Sequence, residues 1–395
     1  MGLGRFGGGL GVTKWLLNQG AEVLLTDLAS KHELEEQLHE LGVHPNLQYV
    51  FGEHRIEDFA NADVVVANPA VPAPWNNLYL QSAWDVGVEV TTEIELLTKQ
   101  LNRNNVIGVT GTSGKSTTSS MVHAALLSAG ICSHLGGNIG GSLLNEVSSI
   151  APTDIVVLEL SSAMLWWLDR NGGWSPRVSI LTTIEPNHID WHGSFEEYKK
   201  CKELLFMHQQ EDDISLTQDV EATFDGLTVL GHHNQRNASV AFLAAISVGA
   251  DAKQARFGIQ NFRGLHHRLQ FVCDGCYNDS KSTTPSATKL AVDAFEDSKK
   301  IHLIVGGYDK QVDLTLLTKQ SERVACMYAI GATRDAIAKR ANGRVRCFEI
   351  MQEAVRCAKS EMQEGDVLLL SPGCASWDQF DNYEQRGDLF CKLVT

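Results

Sequence analysis

Short apolar, β-branched runs recur along this chain, each followed by a glycine-rich or polar turn and then by a stretch with helical spacing of its apolar positions. That alternation is the mark of βαβ units and parallel sheets. Residues 22–26, 62–67 and 88–90 read as strands of a first region, 1–98, closed by a helix capped near Thr92, Glu93 and Glu95. Residues 106–109, 154–159 and 178–182 read as buried strands of a second region, 99–263, with an alanine-rich buried helix over 238–250. Residues 301–305 and 367–370 read as strands of a third region, 264–395. The pattern predicts an α/β protein of three domains: a Rossmann-like N-terminal domain, a central P-loop ATPase-like domain with a mostly parallel sheet, and a Rossmann-like C-terminal domain.

The candidate chemistry sits where these strands end. After the strand at 106–109 come Gly111, Thr112, Ser113, Gly114, Lys115, Ser116 and Thr117, and then a helix closed by Gly130. Gly111 and Gly114 let the backbone approach a polyphosphate held by amides at the helix N-terminus. Lys115 adds a point charge for the β- and γ-phosphates, and the Ser116 hydroxyl suits Mg²⁺. Gly111 and Gly114 enclose only two residues, fewer than in the usual phosphate loop, and the first glycine's part is looked for at Thr110 or Gly108. Asn138 lies in a second glycine-rich loop, 136–141. Glu159 ends a buried strand beside the phosphate loop, where it is either a Mg²⁺ ligand or the cap of the helix that follows Ser161. His188 follows the third strand among acids, as a metal ligand or a structural histidine. Lys199, Lys200 and Lys202 on the next helix read as a solvated face, and Asn234 and Asn237 as readers of an adenine edge or as N-caps.

At the N-terminus, Gly2, Gly4, Gly7 and Gly9 form a loop that opens a helix, and Asp27 ends the next strand. Amides for a pyrophosphate and an acid for a ribose or base make this Rossmann-like. The strand that should precede the loop is missing, since Met1 is already in it; either the chain start is misplaced or the domain lacks its first, central strand. Arg268 stands where the third region opens, and Asp279, Lys281, Lys310, Ser376 and Arg386 follow strand ends and suggest a pocket for an anionic substrate.

Composition narrows the partners. Against 33 basic residues stand 48 acidic ones, a net charge of −15, which argues against nucleic acid or an anionic membrane. No apolar run is long enough to span a bilayer and no signal peptide is evident, so a cytoplasmic protein is expected. The nine cysteines are scattered and odd in number, as expected of reduced thiols, and the lone pair Cys273 and Cys276 reads as a strand-turn coincidence.

Taken in order, these motifs resemble the Mur ligases over nearly the whole chain. The resemblance rests on residues 111–118, 137–140, 159–162 and 187–190, on His233, Asn234 and Asn237, on His267 and Arg268, and on 278–281 and 370–376. The last two are similar to the branch that adds D-glutamate, and no D-N-P-R-type motif of the diaminopimelate- or lysine-adding branch is present. The resemblance implies an ATP-dependent, ADP-forming ligase acting on UDP-N-acetylmuramoyl-L-alanine and D-glutamate through an acyl phosphate. It implies ATP and two Mg²⁺ ions, held by Lys115, Ser116 and Glu159 and by His188 with a carbamylated Lys202. It implies adenine contacts at Asn234 and Asn237, and closure over the acyl phosphate by Arg268, Asp279 and Lys281. UDP-substrate contacts are implied at Gly4, Asp27, Asn138 and Ser161, and D-glutamate contacts at Thr283, Lys310, Ser376 and Tyr383, where Tyr383 replaces a commoner phenylalanine. A monomer is expected. The interval from Lys202 to Asn234 is shorter than in the family, which reads as a trimmed sheet edge, with 209–213 in place of peripheral strands. A related Mur or folylpolyglutamate-type ligase with another amino acid, or a truncated non-catalytic nucleotide-binding homologue, is the alternative. A dehydrogenase would leave Lys115 and Ser116 without purpose.

Overall fold

The computed structural model describes residues 1–3, 7–220, 224–309 and 313–395. It forms two compact units, Met1–Thr223 with Arg236–Ile259 and Phe224–Gln235 with Gln260–Thr395. The first unit opens with two separate parallel pairs. Strand β1 (Val23–Asp27) pairs with β2 (Leu47–Phe51), and β3 (Val64–Ala67) with β4 (Glu89–Thr92). Among the described residues no assigned strand joins the two pairs. Residues 1–3 lie across both: the Met1 amine donates to Val66 O (2.9 Å), Gly2 N–H to Thr26 O (2.8 Å) and Asn68 N–H to Met1 O (3.0 Å).

The same unit contains a five-stranded parallel sheet of β5 (Val106–Thr110), β6 (Ser133–Gly137), β7 (Ile155–Glu159), β8 (Val178–Leu181) and β9 (Ile214–Thr217), in the order β6-β7-β5-β8-β9. Every residue of β5 and β7 is buried, because helices cover both faces of a parallel sheet, and their sequences are accordingly continuous apolar runs. Parallel strands bring all their carboxyl ends to one edge, which carries Gly111, Asn138, Glu159 and Thr182. Strand β9 was not foreseen. Its half-buried Ile214 and Leu216 alternate with exposed Ser215 and Thr217, and it occupies the interval that the sequence marks as trimmed. Its start is tied down by the ion pair of Asp213 with Arg103, whose Nε also donates to Ser175 O (2.9 Å).

In the second unit β10 (Gln270–Cys273), β11 (Cys276–Asn278), β12 (Ile301–Gly306), β13 (Cys326–Ile330), β14 (Val345–Phe348) and β15 (Val367–Leu370) form one sheet in the order β10-β11-β15-β12-β13-β14. Only β10 is antiparallel. Cys273 and Cys276 face each other across the β10–β11 hairpin as free thiols, which is the expected strand-turn coincidence. Alternation splits the core: Ile304, Tyr328, Leu368 and Phe390 pack on one face, and Leu303, Val305, Met327 and Leu369 on the other. Among the described residues no helix is long and apolar enough to cross a membrane.

One buried carboxyl carries a pH signature. Glu93, the first residue of helix Glu93–Gln100, is 7% exposed, and burial pushes its pKa up to about 7 against the opposing hydrogen bond from Ser142 Oγ (2.5 Å). Between its ordinary 4.5 and about 7 the folded chain holds a proton that the unfolded chain has lost, so stability falls as pH rises through that window. Glu93→Gln should remove a slope of about 1.4 kcal/mol per pH unit, measured as the difference in urea unfolding between variant and wild type across the window.

Candidate functional site

Strand β5 stops at Thr110, whose Oγ1 donates to Leu160 O (2.7 Å), and Gly108 lies inside that strand. Neither replaces a loop glycine; the turn is made at Gly111 itself. Gly111 has φ 145, and a Cβ there would come within 1.9 Å of Thr182 Oγ1. The loop is fastened to the segment after β8: Thr112 N–H donates to Thr183 O (2.6 Å), Ser113 N–H to Thr183 Oγ1 (3.1 Å), and Thr182 Oγ1 to Ser113 O (2.6 Å). Gly114, with φ 87, then starts helix Lys115–Ser128, which has no side-chain cap. The amides of Lys115, Ser116 and Thr117 therefore end the helix as an anion-binding terminus. Lys115 Nζ reaches back to Thr112 O (3.1 Å).

Beside the loop, Glu159 is 1% exposed at the end of β7. Its Oε1 accepts from Asn138 Nδ2 (2.8 Å) and its carbonyl from Asn138 N–H (2.8 Å). The close approach of the two strand ends needs Gly137, where φ is 89 and a Cβ would lie 2.3 Å from Glu159 O. Glu159 Oε2 is buried and has no partner among the described residues. An ionised oxygen left so is costly unless a cation completes it, and a carboxylate oxygen suits a hard divalent ion. The alternative of a helix cap is overturned: Ser161 caps helix Ser162–Arg170, accepting from Met164 N–H (3.2 Å).

Lys202, on helix Phe195–Met207, is 2% exposed, so the solvated-face expectation fails for it while holding for the exposed Lys199 and Lys200. Its Nζ stands 4.6 Å from the Tyr198 ring centroid. Burial first, and then the charge of Lys115, lower its pKa to about 7, with Glu159 opposing weakly. His188 is exposed, with φ 50, at the start of the short helix Ile189–His192, its ring 6.1 Å from that of Tyr198. His192, which no sequence expectation included, is 5% exposed with Nε2 2.9 Å from Ser162 Oγ. Burial, then the charges of Lys202 and His188, lower its pKa to about 4, which keeps it neutral. Its spacing of one helical turn from His188 was the available signal. Tyr198 OH also contacts Thr112 Oγ1 (3.0 Å), linking this cluster to the phosphate loop.

Other expected residues fall in three groups. Asn237, 2% exposed, accepts from Thr118 Oγ1 (3.2 Å) and from the Gln218 amide, and it stands directly behind Gly114. Asn234 donates to Leu230 O (2.7 Å). Both lie within helix His232–Ser247, so neither is its N-cap. Both oxygens of Asp27 take backbone amides, from Leu3 (2.8 Å) and Ala29 (2.9 Å). Gly4 and Lys310 lie outside the described residues.

In the second unit Asp279 follows β11 and is 6% exposed. Its Oδ1 accepts from Leu269 N–H (3.0 Å) and its Oδ2 from Ser371 Oγ (2.7 Å). Burial raises its pKa to about 6 against these bonds and the Arg268 charge. Exposed Arg268 is flanked by His267 at φ 59 and Leu269 at φ 43, a backbone that ordinary side chains adopt only under strain. Lys281 Nζ is 5.1 Å from the ring of Tyr383, whose phenol burial pushes to about 12. Ser376 is buried and Thr283 half-buried. Arg386, read from the sequence as part of an anionic pocket, is 1% exposed and donates to Ser280 Oγ (3.1 Å), Ser280 O (2.9 Å) and Cys374 O (3.1 Å), tying the 279–281 run to the loop after β15.

Residues 109–224 match the Mur ligase middle domain, and residues 267–374 match the Mur ligase, glutamate ligase domain. The chain is 34% identical over 459 residues to the UDP-N-acetylmuramoylalanine--D-glutamate ligase of Roseiflexus sp. (strain RS-1), covering 100% of this chain and 97% of that protein. It is 32% identical over 446 residues to the protein of the same name from Geobacter metallireducens, covering 100% and 96%. Among solved structures it resembles the UDP-N-acetylmuramate-alanine ligase MurC of Thermotoga maritima (TM-score 0.57, 17% identity, 100% of this chain and 97% of that one). It also resembles MurF ligase of the same organism in complex with ADP (TM-score 0.53, 14% identity, 95% of each). At these identities the structures show the fold alone.

Gly114→Ala adds a Cβ 2.7 Å from Asn237 Oδ1 at φ 87. A strain of about 1–3 kcal/mol at the loop should weaken ATP binding about tenfold or more, read by calorimetric titration, and an unchanged affinity would contradict the phosphate-loop assignment.

Proposed function

The chain belongs to the Mur ligase family, and on that premise we propose that it is an ATP-dependent, ADP-forming ligase that adds D-glutamate to UDP-N-acetylmuramoyl-L-alanine in peptidoglycan precursor synthesis. What carries this reading is the full-length match to relatives of that one name, with the phosphate loop, Glu159 and Asp279 built into the fold. Soluble substrates suit a cytoplasmic monomer, and one copy contains every assigned residue.

We assign residues 1–98 to the UDP-linked substrate, 99–263 to ATP and 264–395 to the amino acid. A carboxylate is a poor electrophile, so the γ-phosphoryl group of ATP passes to the alanyl carboxylate, giving an acyl phosphate and ADP. The D-glutamate amine then adds to the acyl carbon, loses a proton, and phosphate leaves from the tetrahedral intermediate. Such transfer needs positioning and charge neutralisation more than covalent chemistry. The amides of Lys115, Ser116 and Thr117 hold the polyphosphate, and the Lys115 ammonium faces its β- and γ-groups. The buried, unpartnered Oε2 of Glu159 fits a Mg²⁺ ligand, with the Ser116 hydroxyl beside it. His188 and Lys202 are assigned to a second ion, Lys202 as a carbamate: its depressed pKa provides a neutral amine to add to carbon dioxide. Bound there, the two ions supply Lewis-acid neutralisation between the carboxylate and the γ-phosphate. Asn138 orients Glu159 and, with Asp27 and Ser161, faces the UDP-linked substrate. Asn234 and Asn237 are assigned to the adenine side, Arg268, Asp279 and Lys281 to the acyl phosphate, and Thr283, Ser376 and Tyr383 to D-glutamate.

Phosphate release with ATP, UDP-N-acetylmuramoyl-L-alanine and a panel of D- and L-amino acids tests this directly. D-Glutamate should drive turnover, and preference for another amino acid would reject the substrate assignment. ATP binding without turnover on any of them would mark a non-catalytic homologue. Lys115→Ala and Asp279→Ala should each lower turnover by about 100-fold or more with unchanged circular dichroism. Carbon-13-labelled bicarbonate should give a carbamate resonance that is absent in Lys202→Met; its absence from the wild type would reject the carbamylation.

A further inference from the structure

Cys132, His134 and Asp154 stand at the far ends of β6 and β7 from Asn138 and Glu159. Ser133 pairs with Ile155 and His134 with Val156, so Cys132 and Asp154 are neighbours across the two strands, and Ile155 N–H donates to Cys132 O (3.0 Å). His134, two residues on from Cys132, shares its face of the sheet. One ligand atom from each of the three, sulfur, nitrogen and oxygen, lies within 4.8 Å of the others. His134 Nε2 is 2.8 Å from Asp154 Oδ2, and the same oxygen takes the Ala151 amide (3.0 Å), which fixes the carboxylate. Asp154 is 8% exposed, His134 half-buried and Cys132 exposed, so the group opens to solvent on the cysteine side.

We propose that this cluster binds a divalent transition-metal ion of the zinc class through Cys132 Sγ, a His134 ring nitrogen and an Asp154 carboxylate oxygen, with a solvent molecule in the fourth position. Zinc bonds of about 2.0–2.3 Å in a tetrahedron set ligand atoms roughly 3.5 Å apart, so an ion entering parts His134 Nε2 and Asp154 Oδ2 from their 2.8 Å contact. The mixed sulfur, nitrogen and oxygen set selects against Mg²⁺, which prefers oxygen alone. As the metal–sulfur bond forms, the thiol proton goes to solvent, and the thiolate and carboxylate together balance the ion's two positive charges. The site is distinct from the proposed Mg²⁺ positions: Glu159 lies five positions along the chain from Asp154, roughly 16 Å of extended chain. An ion there clamps the starts of the two strands whose ends present Asn138 and Glu159.

The full chain, stripped with a chelator and dialysed, is titrated with Co²⁺ and then with Zn²⁺. The wild type should show a thiolate-to-cobalt charge-transfer band that saturates at one Co²⁺ per chain and is abolished by Zn²⁺. Cys132→Ser should lose the band with the melting temperature of the metal-free chain unchanged, and His134→Ala should weaken Co²⁺ binding by about tenfold or more. Cys347→Ser, at the other exposed cysteine, should leave the band intact. Cobalt at the Glu159 site has no sulfur ligand and gives no such band. No charge-transfer band in the wild type, or a band undiminished in Cys132→Ser, overturns the proposal.

Discussion

A buried carboxylate with one oxygen unsatisfied governs this structure. Glu159 is held in place by Asn138 through side chain and backbone alike, yet its other oxygen has no partner among the described residues. In a low-dielectric interior such a charge persists only if something positive is supplied. The charge of Lys115 acts on the ionisation of Lys202, and Glu159 pulls on Lys202 in the opposite sense. The edge of the central sheet is thus electrostatically unfinished on its own, as the proposed binding of a nucleotide with metal ions requires.

Backbone geometry gives that edge its shape. Gly111, Gly114 and Gly137 adopt positive φ where a Cβ would collide with Thr182, Asn237 and Glu159 respectively. Each collision is with a neighbouring element, not with the loop itself. The phosphate loop is therefore drawn tight by β8 on one side and by helix His232–Ser247 on the other, leaving the amides of helix Lys115–Ser128 directed outward. In the second unit the equivalent device is a cation. Arg386 is almost wholly buried and binds Ser280 and Cys374, so the segment carrying Asp279 and Lys281 keeps its place beside the loop after β15. Burial lowers its pKa only to about 10, and it remains charged at neutral pH.

Much of the site was legible because its chemistry lies in contiguous runs at strand ends. Gly111 through Thr117 read as a phosphate loop because a strand, a glycine turn, Lys115 with Ser116 and a helix follow one another, and Glu159 stands out as an acid closing an apolar strand. Burial was harder to read. Lys202 shares its helix with Lys199 and Lys200, and only the packing of Tyr198 and the neighbouring strands separates the buried lysine from the solvated ones. Arg386 reaches Ser280 across 106 residues of chain, and no local pattern encodes that contact. Strand β9 escaped notice because an edge strand, half-buried and four residues long, carries little hydrophobic signal.

By itself, the sequence determined the alternation of strands and helices and the family, since these depend on periodicity and on short-range spacing. Tertiary structure alone decided which charges are withdrawn from water, which polar atoms remain without partners, and that Cys132, His134 and Asp154 share one face of two adjoining strands. Ionisation and coordination depend on distance through space, and that distance is set by strand register and by packing, not by separation along the chain.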